Sequence, residues 1–241
     1  MPTSEPANAN RLARTAGLLY LVTVVTGMFY LGYVPSRFSV HADAAATVAR
    51  ILQSQALFRL GIAAELVCNA AFLLLPLALY RLLEGAGRKA AVLMVAFATA
   101  SVPVACANVV HRFEVLSLLG DAGYLQAFTA TQLHAQAMLQ LDAYRHGLLV
   151  LEVFWGAWLL PFGYLVFKCG LLPRLLGALL VLGGLGYLVD FLGTLLLPSY
   201  PASAVAGCIM FPASLGEIGT CLWLLVVGAR PLARLADTSP A

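Results

Sequence analysis

Four carboxylates interrupt long apolar runs in this chain. Glu65 stands in "GIAAELVCNAAF", Glu152 in "GLLVLEVFWG", Asp190 in "GYLVDFLGTLLLP" and Glu217 in "PASLGEIGTCLW". Asn69 and Asn108 add two amides in comparable surroundings. Ionised groups in a hydrocarbon environment cost at least ~2.5–3.5 kcal/mol each, so they are expected to pair, to hold a ligand or to carry protons. Acid pairs can also exchange protons with a bound molecule.

Helical spacing puts these groups on faces with small residues. Gly183, Gly186, Asp190, Gly193 and Thr194 share one stripe, and Gly61, Glu65, Cys68, Asn69 and Phe72 share another. Arg145, Glu152, Gly156 and Gly163 line up, as do Gly207, Ser214, Glu217, Cys221 and Gly228, and Ser101, Asn108 and Arg112. Small residues let helices approach closely in a membrane, which turns these stripes away from lipid. At 1.5 Å per residue, Glu65, Glu152 and Asp190 each lie roughly 10–12 Å inside the same membrane face. The expectation is one polar layer at the level of these three carboxylates, with Asn108 shallower and Glu217 deeper, and a ligand-binding pocket of Glu65, Asn69, Asn108, Glu152, Asp190 and Glu217. Arg59, His111, Arg112, Arg145 and His146 would form its rim.

The elements that position these residues follow from composition. Of 241 residues, 61% are apolar and 10% charged, with a mean hydropathy of +0.90. Soluble domains average roughly 45–50% apolar and about 25% charged. The apolar residues fall in blocks of about 20, the length that crosses a hydrocarbon core of ~30 Å. The expected fold is an all-α, polytopic transmembrane helical bundle of six spans. These lie near 16–34, 58–82, 90–110, 147–167, 175–197 and 204–227, in a membrane domain of residues 16–229 between tails 1–15 and 230–241. Met1–Asn10 and Ala233–Ala241 read as frayed ends. The first span carries no cleavage signal of the secretory kind. Pro103, Pro161 and Pro212 fall within spans, where each removes a backbone hydrogen bond.

Lys and Arg near the span ends set the orientation. Arg11, Arg14, Arg81, Arg88, Lys89, Lys168, Arg174, Arg230 and Arg234 gather on one side, against Arg37, Arg50, Arg59, Arg112 and Arg145 on the other. Both termini are therefore expected in the cytoplasm. The net charge of +3 belongs to this asymmetry, with no basic and aromatic patch for nucleic acid. Two longer segments face outward. Residues 41–57 place Ala45, Val48, Ile51 and Leu52 at helical spacing, and residues 113–146 contain a "GDAG" turn followed by a helix with Leu125, Phe128, Gln132 and Leu139. They read either as interfacial connectors or as a lid. Cys68, Cys106, Cys169, Cys208 and Cys221 lack metal or redox spacing, and no metal or cofactor is expected.

Several stretches resemble the DUF4386 family of bacterial membrane proteins. These are "RLARTAGLLYL", "ARILQSQALFRLGIAAEL", "LALYRLL", "GLLPRLLGALLVLGGLGYLVDFLGTLLLP" and "PASLGEIGTCLWLLVVG", together covering Arg11 to Gly228. The resemblance implies six spans and a bacterial cytoplasmic (inner) membrane, and it supplies no reaction. A histidine that enters the fourth span in the family pattern maps to His146, while Glu152 in "EVFWG" reads as particular to this chain.

Three functions stay open. A transporter or small-ligand binder accounts for the layered carboxylates, although no inverted repeat is visible. An embedded enzyme acting on a lipid-like substrate would use an acid pair, but the chain has no HExxH or GxSxG motif. A sensory or scaffolding subunit would use its polar groups only to hold helices together. The expected partners are the lipid bilayer and a small-molecule ligand, and nothing sets the oligomeric state. Topology is testable directly: reporter fusions after residue 241 and near Leu125 should report opposite sides of the membrane, and the same side for both would eliminate the six-span reading.

Overall fold

The computed structural model describes residues 4–38 and 43–229. The C-terminal tail, Arg230 and His41 lie outside the described residues. Six helical segments are long and apolar enough to cross a membrane: Asn8–Phe38, Gln55–Ala86, Arg88–Leu118, Ala130–Cys169, Arg174–Leu196 and Ala204–Val226. The protein is an all-helical polytopic bundle, as its hydropathy demands. With no water in the bilayer core, helices satisfy their own backbone groups.

The helices are α1 (Ser4–Gly27), α2 (Val34–Phe38), α3 (Ala44–Gln53), α4 (Gln55–Leu83), α5 (Arg88–Leu118), α6 (Ala130–Cys169), α7 (Arg174–Leu196), α8 (Ala204–Cys208) and α9 (Phe211–Val226). A π-helical turn, Met28–Tyr33, joins α1 to α2 within the first span. The six spans pack in chain order, α1 on α4, α4 on α5, α5 on α6, α6 on α7 and α7 on α9, and α9 closes the ring on α1. An even number of crossings brings the ends together, where the Ala229 N–H donates to Asn10 Oδ1 at 3.0 Å.

Small residues hold this ring. A Cβ on Gly163 would meet the Gly177 carbonyl oxygen at 2.7 Å, and one on Gly156 would meet the Gly184 carbonyl oxygen at 2.7 Å, so α6 and α7 touch through their backbones. Gly183 faces Ala213 and Gly186 faces the Ile209 carbonyl. The Asp190 stripe therefore packs on α9 and its lead-in, and its neighbour Gly184 serves α6.

Two apolar clusters fill the interior. One, nearer the termini, includes Tyr20, Leu79, Met94, Phe162 and Leu224. The other, at the opposite end, includes Val34, Phe38, Ile51, Phe58 and Val115. Rings from α1, α4 and α6 meet across the ring of helices: Trp158 stacks on Phe162 at 5.0 Å between centroids and meets Phe72 edge-on at 5.1 Å. Tyr20 completes the group at 6.4 Å from Trp158. On α4, Glu65, Cys68 and Asn69 lie between Ile62 of one cluster and Phe72 of the other.

Several sequence expectations change. Residues 4–10, expected to fray, are helical. α6 runs for 40 residues, about 60 Å at 1.5 Å per residue, so the expected outer helix and fourth span are one rod. It starts from Thr129, whose hydroxyl and Gln132 form a reciprocal capping box. Leu125 instead sits in a 3₁₀ turn. α3 is capped by Asp43, which accepts from Ala46 N–H at 2.9 Å, but it buries Thr47, Val48 and Ile51 and leaves Leu52 and Ala45 exposed. Pro212 lies within the sixth span, as expected, but in the first turn of α9, where its missing N–H leaves no bond unmade.

Candidate functional site

The expected polar layer separates into three groups. In the first, Glu65 is 1% exposed and its Oε2 accepts from Arg112 Nη1 at 3.0 Å and from the Tyr144 hydroxyl at 2.8 Å. Arg112 is 3% exposed, with its guanidinium 4.9 Å from the Phe58 ring centroid and 5.3 Å from that of Tyr144. Arg112 is thus no rim residue. The apolar run that suggested a span ending near Val110 ends before the helix does, and α5 carries Arg112 inward to pair with Glu65. Gly61 makes room for it, since a Cβ there would stand 2.7 Å from Arg112 Nη2. Asn108 braces the neighbouring turn by donating to the Tyr144 carbonyl at 2.9 Å, across a gap that Gly147 keeps open.

The second group joins α6, α7 and the connection after it. The Tyr200 hydroxyl donates to Asp190 Oδ1 at 3.0 Å. The Glu152 carboxyl interacts directly with that of Asp190, and its Oε2 is buried with no hydrogen-bond partner. A pair of this kind can share one proton in place of a cationic partner. Burial first, and the Asp190 carboxylate after it, push the Tyr200 phenol above the ordinary tyrosine value, which keeps it a donor. Gly193 gives its ring a seat.

The third group surrounds a cavity of about 390 Å³ inside the ring. The π-helical turn forms one wall, with residues of α4, α6, α7 and α9 opposite. Glu217 lines it and accepts from the Tyr20 hydroxyl at 3.2 Å. Asn69 lines it too, 7% exposed, with its Nδ2 buried and unpartnered. Met28, Ser214 and Ile218, along the seam of the first and last spans, are exposed, so the cavity opens to the side of the bundle. At the other end of that seam α1 and α9 are in backbone contact: a Cβ on Gly17 would stand 2.9 Å from Leu225 N.

A second cavity, also about 390 Å³, lies under α2 and α3 and includes Arg112 and Tyr144 in its wall. Tyr30 and Leu31 line both cavities, so the π-helical turn divides them. Glu65, Glu152 and Asp190 line neither, and the expected common pocket of these three carboxylates is not what the fold builds. Of the other expected rim residues, Arg59 and His146 are exposed and Arg145 pairs with Asp142 on its own helix. His111 is half-buried and bonds Gln140 through Nδ1 at 2.8 Å. Tyr20, Tyr30, Tyr144, Tyr187 and Tyr200 complete these groups, and the sequence pattern gives no sign of them. Membrane tyrosines look like ordinary apolar filler unless their hydroxyls are placed.

Six apolar spans, with ionisable groups turned inward around a membrane-embedded cavity, define a multi-pass integral membrane protein. The chain belongs to the family described as domain of unknown function DUF4386, which it matches over residues 15–228. It is also similar, at 33% identity over 86 residues, to an uncharacterized protein of Archaeoglobus fulgidus. That match covers 36% of this chain and 48% of the relative, about half its length. No solved structure matches the chain.

Two substitutions test how the first two groups are held. Arg112→Met strands the buried Glu65 carboxylate and should destabilise the protein by about 3–5 kcal/mol. The double variant with Glu65→Leu should recover most of that loss in thermal unfolding in detergent. Asp190→Asn should behave in the opposite way. The amide oxygen still accepts from Tyr200, the amide N–H can donate to Glu152, and no cation loses its partner. Melting temperature is therefore expected to stay level or rise, and a drop of several degrees would mean that the charge itself holds α7 in place.

Proposed function

We propose that the protein binds a small ligand in the cavity behind the π-helical turn, with Asn69 and Glu217 as its polar contacts. The observation that carries this reading is the Asn69 amide, a buried donor without a partner in the wall of a cavity large enough for a small molecule. Buried polar groups are normally satisfied, and an unmade hydrogen bond costs about 1–3 kcal/mol. Binding pockets run to about 300–1,000 Å³, mostly apolar with a few polar groups that orient the occupant. π-Helical turns also recur at functional sites. Entry from the side, between the first and last spans, suits a ligand that partitions into the bilayer. On this reading the membrane is the bacterial inner membrane, with both termini in the cytoplasm.

A proton-linked version of the same reading has its own support. Tyr187 lines the cavity one helical turn before Asp190 on α7, with its ring 6.0 Å from that of Trp155, itself one turn after Glu152 on α6, which puts the cavity next to the Glu152–Asp190 pair. Proton uptake there would couple to ligand binding or release.

Asn69→Leu separates a ligand role from a folding role. The substitution nearly conserves volume and removes an unsatisfied donor. The variant should match or exceed wild-type thermal stability and lose a co-purified small molecule seen by native mass spectrometry of the wild type. A marked loss of stability would make Asn69 a structural residue and remove the basis for the proposal.

A further inference from the structure

The geometry points to an organic cation, an amine or quaternary ammonium with an apolar body, as the class of ligand for this cavity. The inference rests on the ligand-binding reading above and concerns what the walls would recognise. Five aromatic side chains line the cavity, Tyr30, Phe72, Trp155, Trp158 and Tyr187, with the Glu217 carboxylate among them. No Lys, Arg or His side chain does. The fold places its buried Arg112 on Glu65, and nothing comparable reaches Glu217. Among the described residues the one hydrogen bond of Glu217 is that from Tyr20, a neutral donor.

Each part of this wall favours positive charge. Aromatic faces attract cations through their quadrupoles, most strongly in desolvated sites, and aromatic cages are a recurrent means of holding quaternary ammonium groups. A carboxylate inside the membrane calls for a counter-charge, which a cationic occupant supplies. Asn69, on the same wall, can turn its Nδ2 donor to a hydroxyl or carbonyl on the ligand. A small inorganic cation fits less well, because hard cations take several oxygen ligands and this wall is mostly ring carbon.

The test uses the full chain in lipid nanodiscs. Trp155 and Trp158, two of the three tryptophans, report binding by fluorescence. Benzyltrimethylammonium and its uncharged carbon isostere, neopentylbenzene, are titrated against wild type, Glu217→Gln and Asn69→Leu. Glu217→Gln keeps an acceptor for Tyr20, and monodispersity in size-exclusion chromatography confirms its fold. The expected result is saturable binding of the cation at least about tenfold tighter than of the isostere, a preference that Glu217→Gln removes. Equal binding of both probes, unaffected by Glu217→Gln, would overturn the cationic class and leave the cavity as an apolar ligand site. A fluorescence response to neither probe in the wild type would overturn the cationic class, and native mass spectrometry of wild type against Asn69→Leu then decides separately whether the cavity binds anything.

Discussion

Helices in a bilayer gain nothing by hiding apolar side chains from one another, because lipid is as apolar as leucine. What draws them together is close packing and the few polar groups they can share. The ring of six spans depends on this constraint. At Gly163 and Gly177, and again at Gly156 and Gly184, α6 and α7 meet backbone to backbone. Gly183 does the same for α7 and α9, and Gly17 closes the ring between α1 and α9. These contacts are spread unevenly. The first and last spans are tight at Gly17, near the termini, and lose contact where Met28 and Ser214 are exposed. The lateral mouth of the cavity lies where the close glycine contacts of this seam give way, and Gly27 and Gly32 there face open space. The π-helical turn starts at the same level, with Met28, and widens α1 just where α9 no longer supports it.

The distribution of charge inside the ring follows a second rule, that a buried ion needs a partner. Among the described residues one arginine is buried in the interior, and its guanidinium pairs with Glu65 and lies over two aromatic rings. Such a pair is a fixture, because moving either member would leave an uncompensated charge. The remaining acids are treated differently. Glu152 and Asp190 are set against each other with a tyrosine beside them, and Glu217 has a tyrosine alone. Neutral donors hold a carboxyl group in place without fixing its charge, which is the property the proposed ligand site calls for. Inside the ring, the same residue type is thus ion-paired on α4 and, among the described residues, without a cationic partner on α6, α7 and α9. The difference lies in whether an arginine is in reach.

Much of the fold was legible in the sequence because membrane crossing imposes a length and a composition on each span. The small-residue stripes were legible too, since helical spacing alone puts Gly183, Gly186 and Asp190 on one face. Where the helices continue past the apolar run was not. The apolar run of the third span ends near Val110, and the outer segment reads as a helix of its own before the fourth span, yet α5 runs on to Leu118 and α6 is continuous from Ala130 to Cys169. That extension is what turned an expected rim residue into the buried partner of Glu65. Depth counted along a span could place Glu65, Glu152 and Asp190 at one level, but level says nothing of azimuth. Around a closed ring, α4 and α7 stand opposite, and a shared depth does not make a shared pocket.

The cavity shows why such a site resists reading from sequence. Asn69 and Glu217 were both visible as polar residues on small-residue faces, but what distinguishes them among the described residues, an amide donor with no acceptor and a carboxylate with no basic partner, is a property of three-dimensional neighbours. The aromatic wall was hidden more thoroughly. Trp158 and Phe72 belong at once to the packed interior and to the cavity lining, so their spacing carries only the ordinary signature of a core. One face of the aromatic cluster packs toward the termini, while the other borders open space at the π-helical turn. If the turn were regular helix, the residues after Gly27 would be rotated out of register and Tyr30 would no longer stand between the two cavities. The backbone irregularity and the polar groups beside it therefore belong to one feature: a helix unwound locally where the ring leaves room, with an unpartnered amide and a carboxylate lining that room.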